Sequence, residues 1–476
     1  MSIIDTTGHA RNAEERFEKV RTVVYESSAE PSKLLAEEVA NLIRARNAAG
    51  ENTVLGLATG STPVPFYREL IRLHKEGLSF KNVITFNLDE YHGLTPDHKE
   101  SYSTFMHDQL FDHIDIPAEN INIPNGMVPP EKVFDWCQEY ERKIDEAGGL
   151  DLQILGIGRT GHIGFNEPGS TRDSITRMIT LDRITRRDAA SDFLGEENVP
   201  RFAITMGVGT IMKAKRVVLM AWGGNKAEII REAVEGKITD RISASFLQDH
   251  ANATFVVDRP ASARLTRQLS PWLVGSVKWD ERMTRHAVIW LAAKMEKPVL
   301  KLIDEEYNEN GMAELLTRYG AAYHVNIEVF NQLQHTITGW PGGKPRVEDA
   351  NRPERAKPAA KRVLVLSPEP QDAVVSMGGT LERLVEQKHH LHLVCQTSGN
   401  LRVADAGTQK FAGVLSELAA DESRGWSAPQ KFSDDVLQQL QDKGPFGIDP
   451  PGVRRLKGLI LRGEARDANE ACCVDS

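Results

Sequence analysis

The sequence predicts an α/β protein: a doubly wound, mostly parallel sheet with helices on both faces, followed by a helical segment and a small partial α/β domain. Three features carry that expectation. Short runs that are apolar at every position alternate with amphipathic stretches of helical period, the pattern of strands covered on both faces. Proline and glycine punctuate the helical stretches, with Pro63 near a first turn and Gly236 after a last one. The unusual polar residues gather just past the apolar runs, where open parallel sheets bind their ligands.

In chain order, residues 31–47 (PSKLLAEEVANLIRARN) read as a helix and 54–58 (VLGLA) as a strand. Residues 62–77 form the next helix and 83–88 (VITFNL) the next strand. Helices over 103–114 and 131–148 lead to a strand at 150–157 (LDLQILGI). A strand at 216–222 (RVVLMAW), a helix at 225–236 and a strand at 253–258 (ATFVVD) complete the alternation. Beyond it the chain turns mainly helical. A stretch rich in Pro, Gly and charge follows, and KRVLVLS then opens a second α/β segment. The expected domains are 1–265, a helical extension 266–340, a linker 341–361 and a partial domain 362–476.

Composition narrows the function classes. The formal charge of −9 over 476 residues is the wrong sign for a nucleic-acid binder, and the Lys and Arg of NRPERAKPAAKRV are diluted by proline and acid, as in a solvated linker. No run approaches the ~18 apolar residues of a membrane span. The first twenty residues have no apolar segment ahead of a small-residue cleavage site, so no signal peptide is expected. Cys137, Cys395, Cys472 and Cys473 form neither a disulfide framework nor a C-x-x-C pattern, which points to a reducing, cytoplasmic setting.

LQILGIGRTGHIGFNEPGS holds Gly156, Gly158 and Gly161 in the G-x-G-x-x-G spacing of a dinucleotide fingerprint. That motif needs a helix opening inside the glycines, yet Gly164, Pro168 and Gly169 follow too closely for one. The segment is instead expected to be a loop that presents His162 and Glu167 at a strand end. Three further loops join it. GLATGSTP offers glycines, hydroxyls and a helix start as an anion cradle, or else an ordinary capped turn. FNLDEYHGL sets Asp89 and Glu90 at a third strand end, as an active pair or as surface acid. Lys226 sits in a first helical turn, where the macrodipole disfavours a cation unless an anion is bound beside it.

Together LGLATGSTP, FNLDEYHGL, ESYSTFM, GIGRTGHIGFNEPGS, AITMGVGTIMKAKRV, GGNKAEIIREAVEG and ISASFLQDH resemble the glucosamine-6-phosphate deaminase family, over roughly residues 20–265. The resemblance implies conversion of glucosamine 6-phosphate and water to fructose 6-phosphate and ammonia, in amino-sugar catabolism, with no metal or organic cofactor. It implies that Asp89 moves a proton between C2 and C1 of the opened sugar. His162 would open the ring, oriented by Glu167. Gly60, Ser61, Thr62, Ser170, Arg177 and Lys226 match the family's phosphate-binding positions. Arg186, or Arg187 beside it, matches a lid arginine that contacts substrate. Thr160 departs from the Asp or Asn many members carry two residues before the ring-opening histidine, which puts the rate in question. The related 6-phosphogluconolactonases tend to have Arg after the Asp-Glu pair and lack a GFNEPG-like loop, so DEYHGL and GFNEPGS favour the deaminase. A sugar-phosphate-binding regulator with weak turnover is the other reading. The expected partner is a small sugar phosphate, with no nucleic acid and no membrane, and a homo-oligomer stays open.

The C-terminal stretch from Lys361 resembles the start of PIG-L-type de-N-acetylases, which carry H-P-D-D after the first strand. Here Glu369, Pro370, Gln371 and Asp372 stand in that place. Glutamine cannot serve as a base, and glutamate suits zinc less well than imidazole. His390 and His392 share a strand face, but two histidines make no zinc site. The expectation is an inactive, degenerate or truncated remnant.

Overall fold

The computed structural model describes residues 16–334, 360–420, 427–444 and 446–471, and the chain divides into two compact units. The first comprises residues 1–291 with 305–315, the second 292–304 with 316–476. Most of the linker read at 341–361, and Cys472 with Cys473, lie outside the described residues.

The first unit is built on seven strands in the order β1-β10-β9-β6-β2-β3-β5, with every pairing parallel. They are β1 (Arg21–Tyr25), β2 (Thr53–Leu57), β3 (Val83–Asn87), β5 (Ile121–Asn122), β6 (Leu152–Leu155), β9 (Val217–Ala221) and β10 (Ala253–Asp258). Strands β2, β6, β9 and β10 are buried at every position, because helices cover both faces. Helices α1 (Ala29–Ala49), α2 (Val64–Lys75) and α3 (Tyr102–Gln109) pack in one core cluster with Leu35, Phe66 and Met106. Helices α4 (Val133–Glu146), α6 (Val208–Met212) and α7 (Ala227–Glu235) pack in the other with Tyr140, Ile211 and Ile230. At the amino-terminal end of the sheet Arg216 and Glu38 form a buried ion pair at 2.7 Å, with side chains 10% and 7% exposed.

Chain order reverses between β2 and β6: β3 and β5 extend one way, β9 and β10 the other. Open sheets of this kind bind ligands at the carboxyl ends of the strands about that switch point, which is where the loops after β3, β2, β6 and β9 begin. A second, antiparallel sheet lies off these loops, formed by β4 (Asp89–Tyr91), β8 (Phe202–Thr205) and β7 (Arg177–Thr180). The sequence reading took Asp89 and Glu90 as loop residues; they belong to β4, with Asp89 opposite Thr205 of β8. A three-residue strand has no periodicity to detect. Helix α5 (Arg183–Ala189) connects β7 to β8.

In the second unit β11 (Arg362–Ser367) and β12 (His390–Cys395) pair in parallel, and the helix Asp372–Glu386 covers one face through Ala373 and Leu381. Helices Asp405–Ala419, Ser427–Lys443 and Pro451–Ala471 pack around Ala412, Val436 and Val453. Lys443 and Lys457 each pair with both Asp405 and Asp449.

Candidate active site

The loop from Gly156 to Thr176 contains no helix, as Pro168 and its glycines required. It folds back on itself through Gly161 N–H to Gly158 C=O and Gly158 N–H to His162 C=O, both at 3.0 Å. The His162 ring lies against Gly158, where a Cβ would stand 2.1 Å from Nε2. Gly164 plays a matching part. It has φ of 55°, and a Cβ there would meet Thr205 Oγ1 at 2.9 Å and Asp89 Oδ2 at 3.4 Å. Thr205 Oγ1 also accepts from Phe165 N–H at 3.0 Å. The histidine loop is thereby laid directly against the Asp89 carboxylate.

Asp89 is 5% exposed, and among the described residues its carboxylate has no hydrogen-bond donor. Burial, and then the charge of Glu90, push its pKa up to about 8. Glu90 itself accepts from Tyr91, Tyr102 and Ser103 N–H and from Ser101 Oγ–H, at 2.7–3.1 Å. The two neighbours divide roles: Glu90 is fixed at the start of α3, and Asp89 is unbound and poised near neutrality.

His162 Nδ1 stands 2.8 Å from Thr160 Oγ1 and 3.3 Å from Glu167 Oε2. A carboxylate can only accept, so an Nδ1 proton would face Glu167, whereas the Thr160 hydroxyl can donate or accept and suits either tautomer. Only the Thr160 contact is a well-formed hydrogen bond; Glu167 Oε2 has none. Burial raises the Glu167 pKa, but His162, Thr185 and the Asp182 N–H outweigh it and hold the carboxyl below its usual range. Glu167 is thus an anion 3.3 Å from the imidazole.

The anion-cradle residues are tied together by neighbouring loops. Gly60 has φ of 88°, and Ser61 beside it is exposed. Neither Ser61 nor Thr62 caps α2 with its side chain; the cap position is Pro63. Trp222 Nε1–H donates to Thr62 C=O at 3.1 Å, joining the loops after β2 and β9. Lys226 Nζ donates to Ile157 C=O at 2.8 Å, joining the loops after β9 and β6, and burial lowers its pKa. Asp258, at the end of β10, accepts from Gly223 and Ala261 N–H and anchors the turn that carries Lys226.

Ser170 and Arg177 bond each other. Arg177 donates to Asn166 Oδ1 at 3.0 Å and to Ser170 Oγ at 2.9 Å, and both line a cavity of about 340 Å³ with Glu167, Ser174 and Thr180. Gly60, Ser61, Thr62, Arg186 and Lys226 do not line it. Arg186, on α5, donates to Glu196 C=O at 2.7 Å, its Nε is buried without a partner, and Arg187 is exposed. Sequence reasoning missed Asp258, Trp222 and Thr205, whose roles depend on contacts between distant loops.

In the second unit, Arg402 pairs with both Glu369 and Asp372, and His389 accepts from Lys361 N–H. A guanidinium occupies the ground between the two carboxylates that a zinc ion would need, so these residues do not fit the metal that the PIG-L resemblance implies. Among the described residues no three His, Cys, Asp or Glu side chains cluster as a metal site. Nor is any described helix long and apolar enough to cross a membrane.

Residues 26–256 match the family model described as glucosamine-6-phosphate isomerases/6-phosphogluconolactonase. A glucosamine-6-phosphate deaminase-like protein of Bacteroides thetaiotaomicron is 48% identical over 457 residues, covering 95% of this chain and 69% of that one. The chain belongs to the glucosamine-6-phosphate isomerase family. A glucosamine-6-phosphate deaminase of Thermoanaerobacter pseudethanolicus is 49% identical over 243 residues, 51% of this chain and 92% of its own. The solved structure of a monomeric glucosamine-6-phosphate deaminase is 42% identical, covers 51% of this chain and 99% of its own, and has a TM-score of 0.49. Within the family frame, the second unit is additional to the deaminase-length part of the chain, and the Bacteroides relative shares it.

Proposed function

We propose that the chain converts glucosamine 6-phosphate and water to fructose 6-phosphate and ammonia. The observation that carries this reading is the meeting, over Gly164, of a buried carboxylate with pKa about 8 and a histidine loop beside a lysine-bearing anion cradle. His162 Nε2 takes a proton as the sugar ring opens and returns it to the ring oxygen. Asp89 removes the C2 proton of the open aldose and delivers it to C1, while a proton of the amino group passes to O1, so the aldehyde becomes a hydroxymethyl group and the C2–N bond an imine. Water adds to that imine at C2 and ammonia leaves. Lys226, Gly60, Ser61 and Thr62 hold the phosphate, and Arg186 reaches it from α5. Ser170 and Arg177, which bond each other and line a cavity that Lys226 does not, are the weaker phosphate candidates.

The relatives at 48–49% identity named above are called deaminases or deaminase-like, which supports this activity over a lactonase. The partial de-N-acetylase resemblance of the second unit fits the same amino-sugar chemistry, there as a non-catalytic remnant. The reading includes a cytoplasmic setting. The test is ammonia release coupled to detection of fructose 6-phosphate, for the wild type and Asp89→Asn. Turnover that collapses in the variant supports both reaction and base. Absence of turnover in the wild type, with phosphate-sugar binding retained, would move the chain to the regulatory reading.

A further inference from the structure

Arg159 lies between the end of β6 and the His162 turn. Its Nε and Nη2 donate to the two carboxylate oxygens of Asp188, on α5, at 2.8 and 2.6 Å. Both side chains are about half exposed, at 50% and 41%. The Lys226 ammonium is bound to the carbonyl of Ile157, two residues earlier in the same loop. Burial depresses the basicity of Lys226, Asp188 offsets that, and Arg159 adds to it, so the three charges share one neighbourhood.

A guanidinium that engages two oxygens of one carboxylate uses the same fork with which it takes a phosphate. We infer that Arg159 is a further phosphate-binding residue of this chain, and that Asp188 competes with the substrate's phosphate for its fork. The inference rests on Lys226 lying beside the phosphate of the proposed substrate. A phosphate ester carries about −1.5 to −2 at neutral pH against −1 for Asp188, and an exposed carboxylate pair is weakly held. Between two cations the ester displaces the carboxylate. Helix α5 then loses this tie to the histidine loop, and α5 is the segment that carries Arg186. Phosphate recognition and the position of α5 become one event.

The test uses the full chain, with inorganic phosphate as the probe in titration calorimetry and KM for glucosamine 6-phosphate measured on the same preparations. Competition predicts that Asp188→Asn tightens phosphate and lowers KM by about two- to fivefold, the scale of an exposed pair. Arg159→Gln weakens both on the order of tenfold, the scale of a charge-assisted hydrogen bond. The double variant behaves as Arg159→Gln alone, because Asp188 acts only through Arg159. Single variants that leave phosphate affinity and KM unchanged overturn the inference, as does a double variant in which the two effects simply add. These phosphate ratios in a wild type that releases no ammonia would uphold Arg159 while refuting the proposed reaction.

Discussion

Replacing Asp89 by Asn should abolish turnover and, at the same time, stabilise the first unit increasingly as pH rises. The native carboxyl has a pKa raised to about 8 by burial and by Glu90, whereas in the unfolded chain it returns to its ordinary value near 4. A folded pKa above the unfolded one means the native state holds the proton more tightly. The wild type therefore loses stability as pH climbs from about 4 to about 8, at about 1.4 kcal/mol per pH unit, and the loss then levels off. Asparagine does not titrate. From pH 6 to pH 9 two of those units are crossed, so the variant should gain about 3 kcal/mol on the wild type. For a unit of this size that is about 6–12 °C in Tm. Thermal unfolding of both proteins at pH 5, 6, 7, 8 and 9 measures it. A gap between the two that is flat from pH 6 to pH 9 refutes a buried Asp89 with a raised pKa. In the wild type kcat/KM should rise with pH through the same region, since only the ionised carboxylate can accept the C2 proton.

Gly158→Ala should lower kcat on the order of 100-fold or more while the chain stays folded, because a methyl group there forces the His162 ring out of line; kinetics with a circular-dichroism check decide it. Lys226→Met should raise KM for the sugar phosphate far more than Arg177→Met does; equal effects would place the phosphate in the Ser170–Arg177 cavity instead. Glu38→Gln leaves the buried Arg216 charge without its partner and should cost about 3–5 kcal/mol in urea unfolding, with KM unchanged because the pair lies at the opposite end of the sheet.

The four strand-end loops were legible because each has local chemistry that the chain cannot hide. Apolar runs such as ATFVVD end abruptly in glycine, hydroxyl or acid, and a fully buried parallel strand leaves only its carboxyl end free for ligands. The glycine fingerprint could be dismissed without coordinates, since Pro168 and Gly169 forbid the helix a dinucleotide needs. The antiparallel sheet was not legible: β4 is three residues long, and its partners lie more than a hundred residues away near β8. That Ser170 and Arg177 line a cavity which Lys226 does not was equally invisible, because matching motif positions carry no distances. By itself the sequence determined the doubly wound class, the loop that bears His162 and Glu167, and the presence of Asp89 at a strand end, all consequences of short-range pattern and backbone sterics. Only the tertiary structure decided that Gly164 brings that loop onto Asp89, that burial lifts Asp89 toward neutrality, and that Arg159 meets Asp188. Those depend on which distant segments share a crevice, and desolvation and charge pairing act through space rather than along the chain.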